Sequence, residues 1–72
     1  MTAINNGRIT YEMTRRNLTA GQLARLANLS EASLSRARHG RACRPATLRA
    51  LAAALDSTPI DPAIDRLLTV PA

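Results

Sequence analysis

The sequence predicts an all-α domain of four to five short helices packed closely together, and three observations carry that prediction. The apolar residues are mainly Leu, Ala and Ile, with one Tyr and no Phe or Trp, which suits close contact between short helices better than stacked sheets. Leucine and alanine recur at helical spacing from Leu18 to Leu55. Helix-start chemistry is written three times between Thr19 and Pro45. A chain of 72 residues makes one domain, residues 1–72, with its body at 7–56 and a short tail at 57–72. A domain of this size buries roughly 60% of its unfolded surface, so a partner chain would help it.

Ile9 and Met13, at i and i+4, predict a first helix near residues 7–16. The second begins at Thr19, where Gln22 stands three residues on in a capping box and Leu18 and Leu23 form a hydrophobic staple. Asn28 ends it, because Asn tolerates the left-handed backbone of a tight turn. The third starts at Ser30, with Leu29 and Leu34 at the same staple offsets, and stops at Gly40 after the basic last turn of Arg36, Arg38 and His39. Pro45 opens the fourth, with Cys43 and Leu48 as the staple pair and Leu48, Leu51, Ala52 and Leu55 as the buried stripe. Asp61 before Pro62 caps a short last helix carrying Ile64, Leu67 and Leu68.

Two short helices with separate caps and about three residues between them make a helix-turn-helix over roughly residues 19–39. Ala24 faces Leu34 where the two approach most closely, and a bulkier residue there would push them apart. At about 100° per residue, Leu34 and Ala37 fall on the buried side of the second of these helices. Ala32, Ser35, Arg36 and His39 fall opposite, with Glu31 and Ser33 at the N-terminal edge. A face that is small at its start and tipped with a long cation fits a major groove about 12 Å wide.

Composition narrows the partners. Ten Arg, no Lys and five acids give a net charge of +5. Residues 1–55 hold nine Arg and two Glu, whereas residues 56–72 hold one Arg and three Asp, so the excess belongs to the body. Such a balance favours a polyanion. A single cysteine excludes an internal disulfide and fits a reducing compartment. No segment reads as a signal peptide or membrane span, which makes the cytoplasm the expected location. Catalysis is not expected, because the one His has no nucleophile beside it and no Gly-rich phosphate loop occurs. His39 and Cys43 stand four apart, but Gly40 between them ends the helix and no further ligand lies near, so no metal, cofactor or small-molecule ligand is expected. One aromatic ring gives no stacking platform for single strands or RNA, which leaves duplex DNA.

Residues 18–55 resemble the phage repressor and Cro (XRE, lambda-repressor-like) helix-turn-helix family. The resemblance rests on Leu18-Thr19, Leu23-Ala24, Leu29-Ser30, Leu34-Ser35-Arg36, Gly40, Pro45, Leu48, Leu51 and Ala54-Leu55, and Arg8-Ile9 resembles the family's first helix. It implies a compact, usually dimeric regulator binding a double-stranded operator with an inverted repeat. By position it implies that Glu31, Ala32, Ser35 and Arg36 read base edges. Thr19, Gln22, Ser30, Arg41 and Arg44 match the phosphate-holding regions, and Arg38 and His39 join them as cations at the end of the reading helix. Pro59, Ile60, Asp61, Pro62 and Ile64 match the dimer contact. The chain departs from the family pattern at Ala20, where Gln is common, at Asn28, where Gly is preferred, and at Ala37, where a larger apolar residue is usual. Met13 and Arg38 stand where some members pair an Arg with a Glu, which leaves Arg38 free for phosphate. Arg15, Arg16, Arg25 and Arg49 are weaker phosphate candidates, because a basic helix face is more often simply solvated. An antitoxin gripping its toxin through the acidic, leucine-bearing tail, or a protein-binding adaptor on the same fold, remain alternative functions.

Overall fold

In a computed structural model, residues 7–70 are described; residues 1–6 and 71–72 of the expected single domain lie outside them. Five helices follow in order: α1 (Arg8–Arg15), α2 (Ala20–Ala27), α3 (Glu31–Arg38), α4 (Pro45–Asp56) and α5 (Pro62–Asp65). α2 packs on α3 and α4, and α1 packs on α3 and α5. Among the described residues no helix is long and apolar enough to cross a membrane.

The starts follow the expected local chemistry. Thr19 Oγ1 accepts from the Gln22 N–H while Gln22 Oε1 accepts from the Thr19 N–H, completing the capping box. Ser30 Oγ accepts from the Ser33 N–H, and Asp61 accepts from the Ala63 and Ile64 N–H groups. α4 relies on Pro45 at its start, and Arg44 at its N-cap makes no side-chain capping bond.

The stops of α1, α2 and α3 share one geometry. Asn17, Asn28 and Gly40 all have positive φ, at 56°, 57° and 74°. In each case the next residue donates back along the helix: Leu18 N–H to Met13 O, Leu29 N–H to Ala24 O, and Arg41 N–H to Arg36 O. Each is a Schellman closure, satisfying carbonyls the helix leaves unpaired. Leu18 and Leu29 therefore each close one helix and staple the start of the next, and both pack on the core. Two leucines thus fix where α2 and α3 begin.

The core consists of Ile9, Met13, Leu23, Ala24, Ala27, Leu34, Ala37, Cys43, Leu51 and Ala54. Leu23 and Leu34 are fully enclosed, and truncating either to alanine would cost about 2–5 kcal/mol. Four of the ten are alanines, which allows the close helix approach expected around Ala24. Three expectations are corrected here. Ala52 is exposed and Ala54 takes its place in the stripe, because the buried side of α4 is centred between Leu51 and Ala54, well away from position 52. α5 ends at Asp65, so Leu67 and Leu68 lie beyond it, with Leu67 85% exposed.

The third correction concerns Arg15 and Arg16, which are not a solvated face. Arg16 Nε donates to the carbonyls of Leu55, at 2.9 Å, and Thr58, at 3.1 Å, while its Nη1 pairs with Glu12. Arg15 forks onto both Asp65 carboxylate oxygens, at 2.9 and 3.3 Å, and its carbonyl accepts from the Asp61 N–H. The end of α1 thereby clamps the end of α4 and all of α5. Burial alone would push the Glu12 carboxyl up, but hydrogen bonds from Arg16, Arg8 and Arg15 outweigh it and hold it below its ordinary value.

Candidate nucleic-acid interface

α3 has the phase expected from its sequence. Leu34 and Ala37 are buried, and Glu31, Ala32, Ser35, Arg36 and His39 are all exposed. Ser30, Thr19 and Gln22 are exposed at the starts of α3 and α2. Capping uses oxygen acceptors on Thr19 and Gln22, which leaves the Thr19 hydroxyl proton and the Gln22 amide N–H groups outward as donors. Ser30 donates its own hydroxyl to Ser33 Oγ at 3.0 Å, which moves the outward proton of that pair to Ser33.

Two hollows flank the far half of α3. One, of about 370 Å³, is lined by Ser33, Arg36, Ala42, Cys43, Arg44 and Thr47. The other, of about 300 Å³, is lined by Ser35, Arg36, His39 and Arg41. Arg36 belongs to both, so the structure brings the expected base reader beside the expected phosphate holders Arg41 and Arg44. The loop after Gly40 makes this possible by running beside α3, so that Arg41 to Arg44 come next to Ser33 and Arg36, while the Cys43 thiol tucks into the core and donates to the Arg41 carbonyl at 3.4 Å.

Charge is sorted in space. Among the described residues, the ion pairs join Arg8, Arg15 and Arg16 to Glu12 and Asp65, away from the outward face of α3. Arg36, Arg41 and Arg44 take part in none of them. Glu31 does not reach Arg36; one of its carboxylate oxygens lies 3.6 Å from where a side chain on Gly21 would begin. An exposed helix face, edged by unpaired guanidiniums and by N–H and O–H donors, suits a duplex whose rims are phosphate and whose floor is base edges.

Residues 8–61 match the family of Cro/C1-type HTH DNA-binding domains. The chain belongs to that family. The match spans three quarters of the sequence and includes α1 to α4 and the turn into α5, so it rests on the whole helical body and not on the helix-turn-helix alone. Neither the curated proteins nor the solved structures compared with it contain a match.

Within this Cro/C1-type domain some expected site residues fall elsewhere. Arg38 is half-buried and turns toward α1, where its Nε approaches Thr10 Oγ1 at 3.5 Å, instead of standing free beside Arg36. The backbone explains it: position 38 lies between the buried and outward sides of α3, next to α1. Of the expected dimer residues, Pro59, Ile60 and Pro62 are exposed, whereas Asp61 is committed to capping α5 and Ile64 is half-buried. Leu67 and Val70 add exposed apolar surface that the sequence pattern did not assign to the contact. Ser33, placed by the helical phase at the edge of the outward face, lines the first hollow, whereas Thr47 was not expected in the site and had no signal, because only the loop path brings it there.

Proposed function

We propose that this domain is a sequence-specific, double-stranded DNA-binding transcriptional regulator of the phage or mobile-element repressor and Cro kind, acting as a homodimer on an inverted repeat. α3 enters the major groove, with Arg36 hydrogen-bonding a base edge and Glu31, Ala32 and Ser35 contacting its neighbours. Arg41, Arg44, His39, Thr19, Gln22 and the hydroxyl pair of Ser30 and Ser33, through its Ser33 proton, hold the phosphates on either side. Pro59, Ile60, Pro62 and Leu67 supply the contact with the second copy, which puts half-sites about 34 Å apart. The observation that carries the reading is the uncovered face of α3 beside three arginines that take part in no ion pair among the described residues.

Selection of bound fragments from genomic DNA, followed by titration of single-base variants, tests it. Arg36→Ala should lose about 1–3 kcal/mol at one base position per half-site and little elsewhere. Arg44→Ala should weaken every sequence alike and lower the salt slope by about one per subunit. A uniform loss for Arg36→Ala would move it to the phosphate set, and the absence of salt-sensitive affinity for any duplex would favour the adaptor. The exposed Leu67 and Val70 favour a second reading, an antitoxin whose tail binds a toxin, and co-purification of a neighbouring-gene product would support it.

A further inference from the structure

His39 is the only histidine in the chain and stands at the C-cap of α3. Its ring Nδ1 lies 2.6 Å from the Ser35 carbonyl oxygen. A carbonyl only accepts, so Nδ1 carries the hydrogen and donates it. In the neutral ring this leaves Nε2 as a bare lone pair, which repels an anion. In the imidazolium Nε2 carries a hydrogen as well and attracts one. The Ser35 contact thus makes the outward nitrogen a proton-dependent group, an acceptor in one state and a charged donor in the other.

The surroundings set what that nitrogen can meet. The hollow that His39 lines is bounded by Arg36 on the same helix, Arg41 on the following loop and the Ser35 hydroxyl, with Arg38 next to it in the chain. The described carboxylates are all placed elsewhere: Glu12 and Asp65 pair on α1 and α5, Glu31 lies over Gly21, Asp61 caps α5 and Asp56 ends α4. An imidazolium here therefore joins two guanidiniums with no described carboxylate beside it. A phosphate entering between Arg41 and His39, beside Arg36, supplies the missing counter-charge.

We propose that the hollow lined by Ser35, Arg36, His39 and Arg41 seats one phosphate of the DNA backbone, held by His39 and Arg41 while Arg36 stays with the base edge, and that His39 takes up a proton from solvent as the phosphate enters. DNA binding is then linked to pH. The inference rests on the DNA-binding reading above and adds to it a group, Nε2 of His39, that changes its affinity for phosphate near neutrality.

Fluorescence anisotropy with a selected duplex, from about pH 6 to about pH 8.5 at fixed ionic strength, tests the linkage in the wild type, His39→Gln and His39→Arg. The wild type should bind more weakly as pH rises, by about tenfold per subunit for each unit that the imidazole midpoint rises on binding. His39→Gln should be flat. His39→Arg should also be flat, and as tight at high pH as the wild type is at low pH. The lone imidazole gives one set of ring NMR signals, and its titration midpoint should be higher in the complex than in the free domain. Inorganic phosphate alone should leave that midpoint in place; a shift as large as the duplex produces would assign the seat to free phosphate and overturn the inference. A flat wild type, or a slope retained in His39→Gln, overturns it while leaving DNA binding intact. Failure to bind any duplex at any pH overturns both readings.

Discussion

Replacing Arg16 by alanine tests whether the end of α1 holds the tail of the domain in place. The side chain is 10% exposed, and its guanidinium donates to Leu55 O, Thr58 O, Glu12 O and the Glu12 carboxylate. Hydrogen bonds to a charged group contribute about 1.5–3 kcal/mol each in isolation. They do not add fully here, because one guanidinium makes all of them, Glu12 keeps Arg8 and Arg15, and the two carbonyls are only part-buried and regain water. The expected loss is about 2–3 kcal/mol, against less than about 0.5 kcal/mol for Arg49→Ala on the exposed side of α4. In a domain of this length each kcal/mol moves Tm by about 4–8 °C, so Arg16→Ala should melt roughly 10–20 °C lower by circular dichroism. Arg16→Lys should recover little, because an ammonium is a single point and cannot reach both carbonyls and the carboxylate as a fork does. Urea unfolding should give the same order. A loss for Arg16→Ala no larger than for Arg49→Ala would refute the reasoning.

Two further outcomes follow from the same helix contacts. The depressed Glu12 carboxyl contributes stability that is fully present above its ordinary value of 4.5 and is lost as pH falls through its lower folded value, so Glu12→Gln should be less stable at neutral pH and show a shallower decline below about pH 4.5; parallel pH profiles in urea unfolding would remove Glu12 from the account. Gly21→Ala should stabilise α2 by about 0.5–1 kcal/mol, since the added carbon meets only Glu31 Oε1 at an ordinary 3.6 Å, and a lowered Tm would show that the Glu31 carboxylate needs that space.

Which parts were legible in the sequence follows from how far apart the interacting residues are. Thr19 with Gln22, Ser30 with Ser33 and Asp61 with Ile64 act within one turn, so composition at fixed offsets states them outright. Asn28 and Gly40 read as stops for the same reason. Asn17 makes the same closure but stands where no cap pattern had fixed the end of α1, and its role emerges only from φ. The Arg16 bonds to Leu55 and Thr58 span 39 and 42 residues, and the Arg15 fork onto Asp65 spans 50. Nothing local distinguishes those arginines from Arg25 or Arg49. Exposure of the α3 face was legible from helical phase alone. Its grouping into two hollows was not, because that depends on how the loop between Gly40 and Arg44 runs beside the helix.

The arginines therefore divide into those that share a carboxylate and those that do not, and the acids at neighbouring positions decide which. Arg8, Arg15 and Arg16 surround Glu12 at offsets of three and four along α1, where helical geometry forces them together. Arg36 has no acid at those offsets: positions 32, 33, 39 and 40 are Ala, Ser, His and Gly. Arg41 and Arg44 lie in a loop that imposes no such neighbours. Withholding carboxylates from α3 after Glu31 keeps three guanidiniums close to one another without internal relief, which is mildly unfavourable to the free domain and becomes favourable when an external anion arrives. In this way the charge pattern along the chain commits one group of arginines to internal ion pairs, and the other group is the one that the proposed function turns toward DNA.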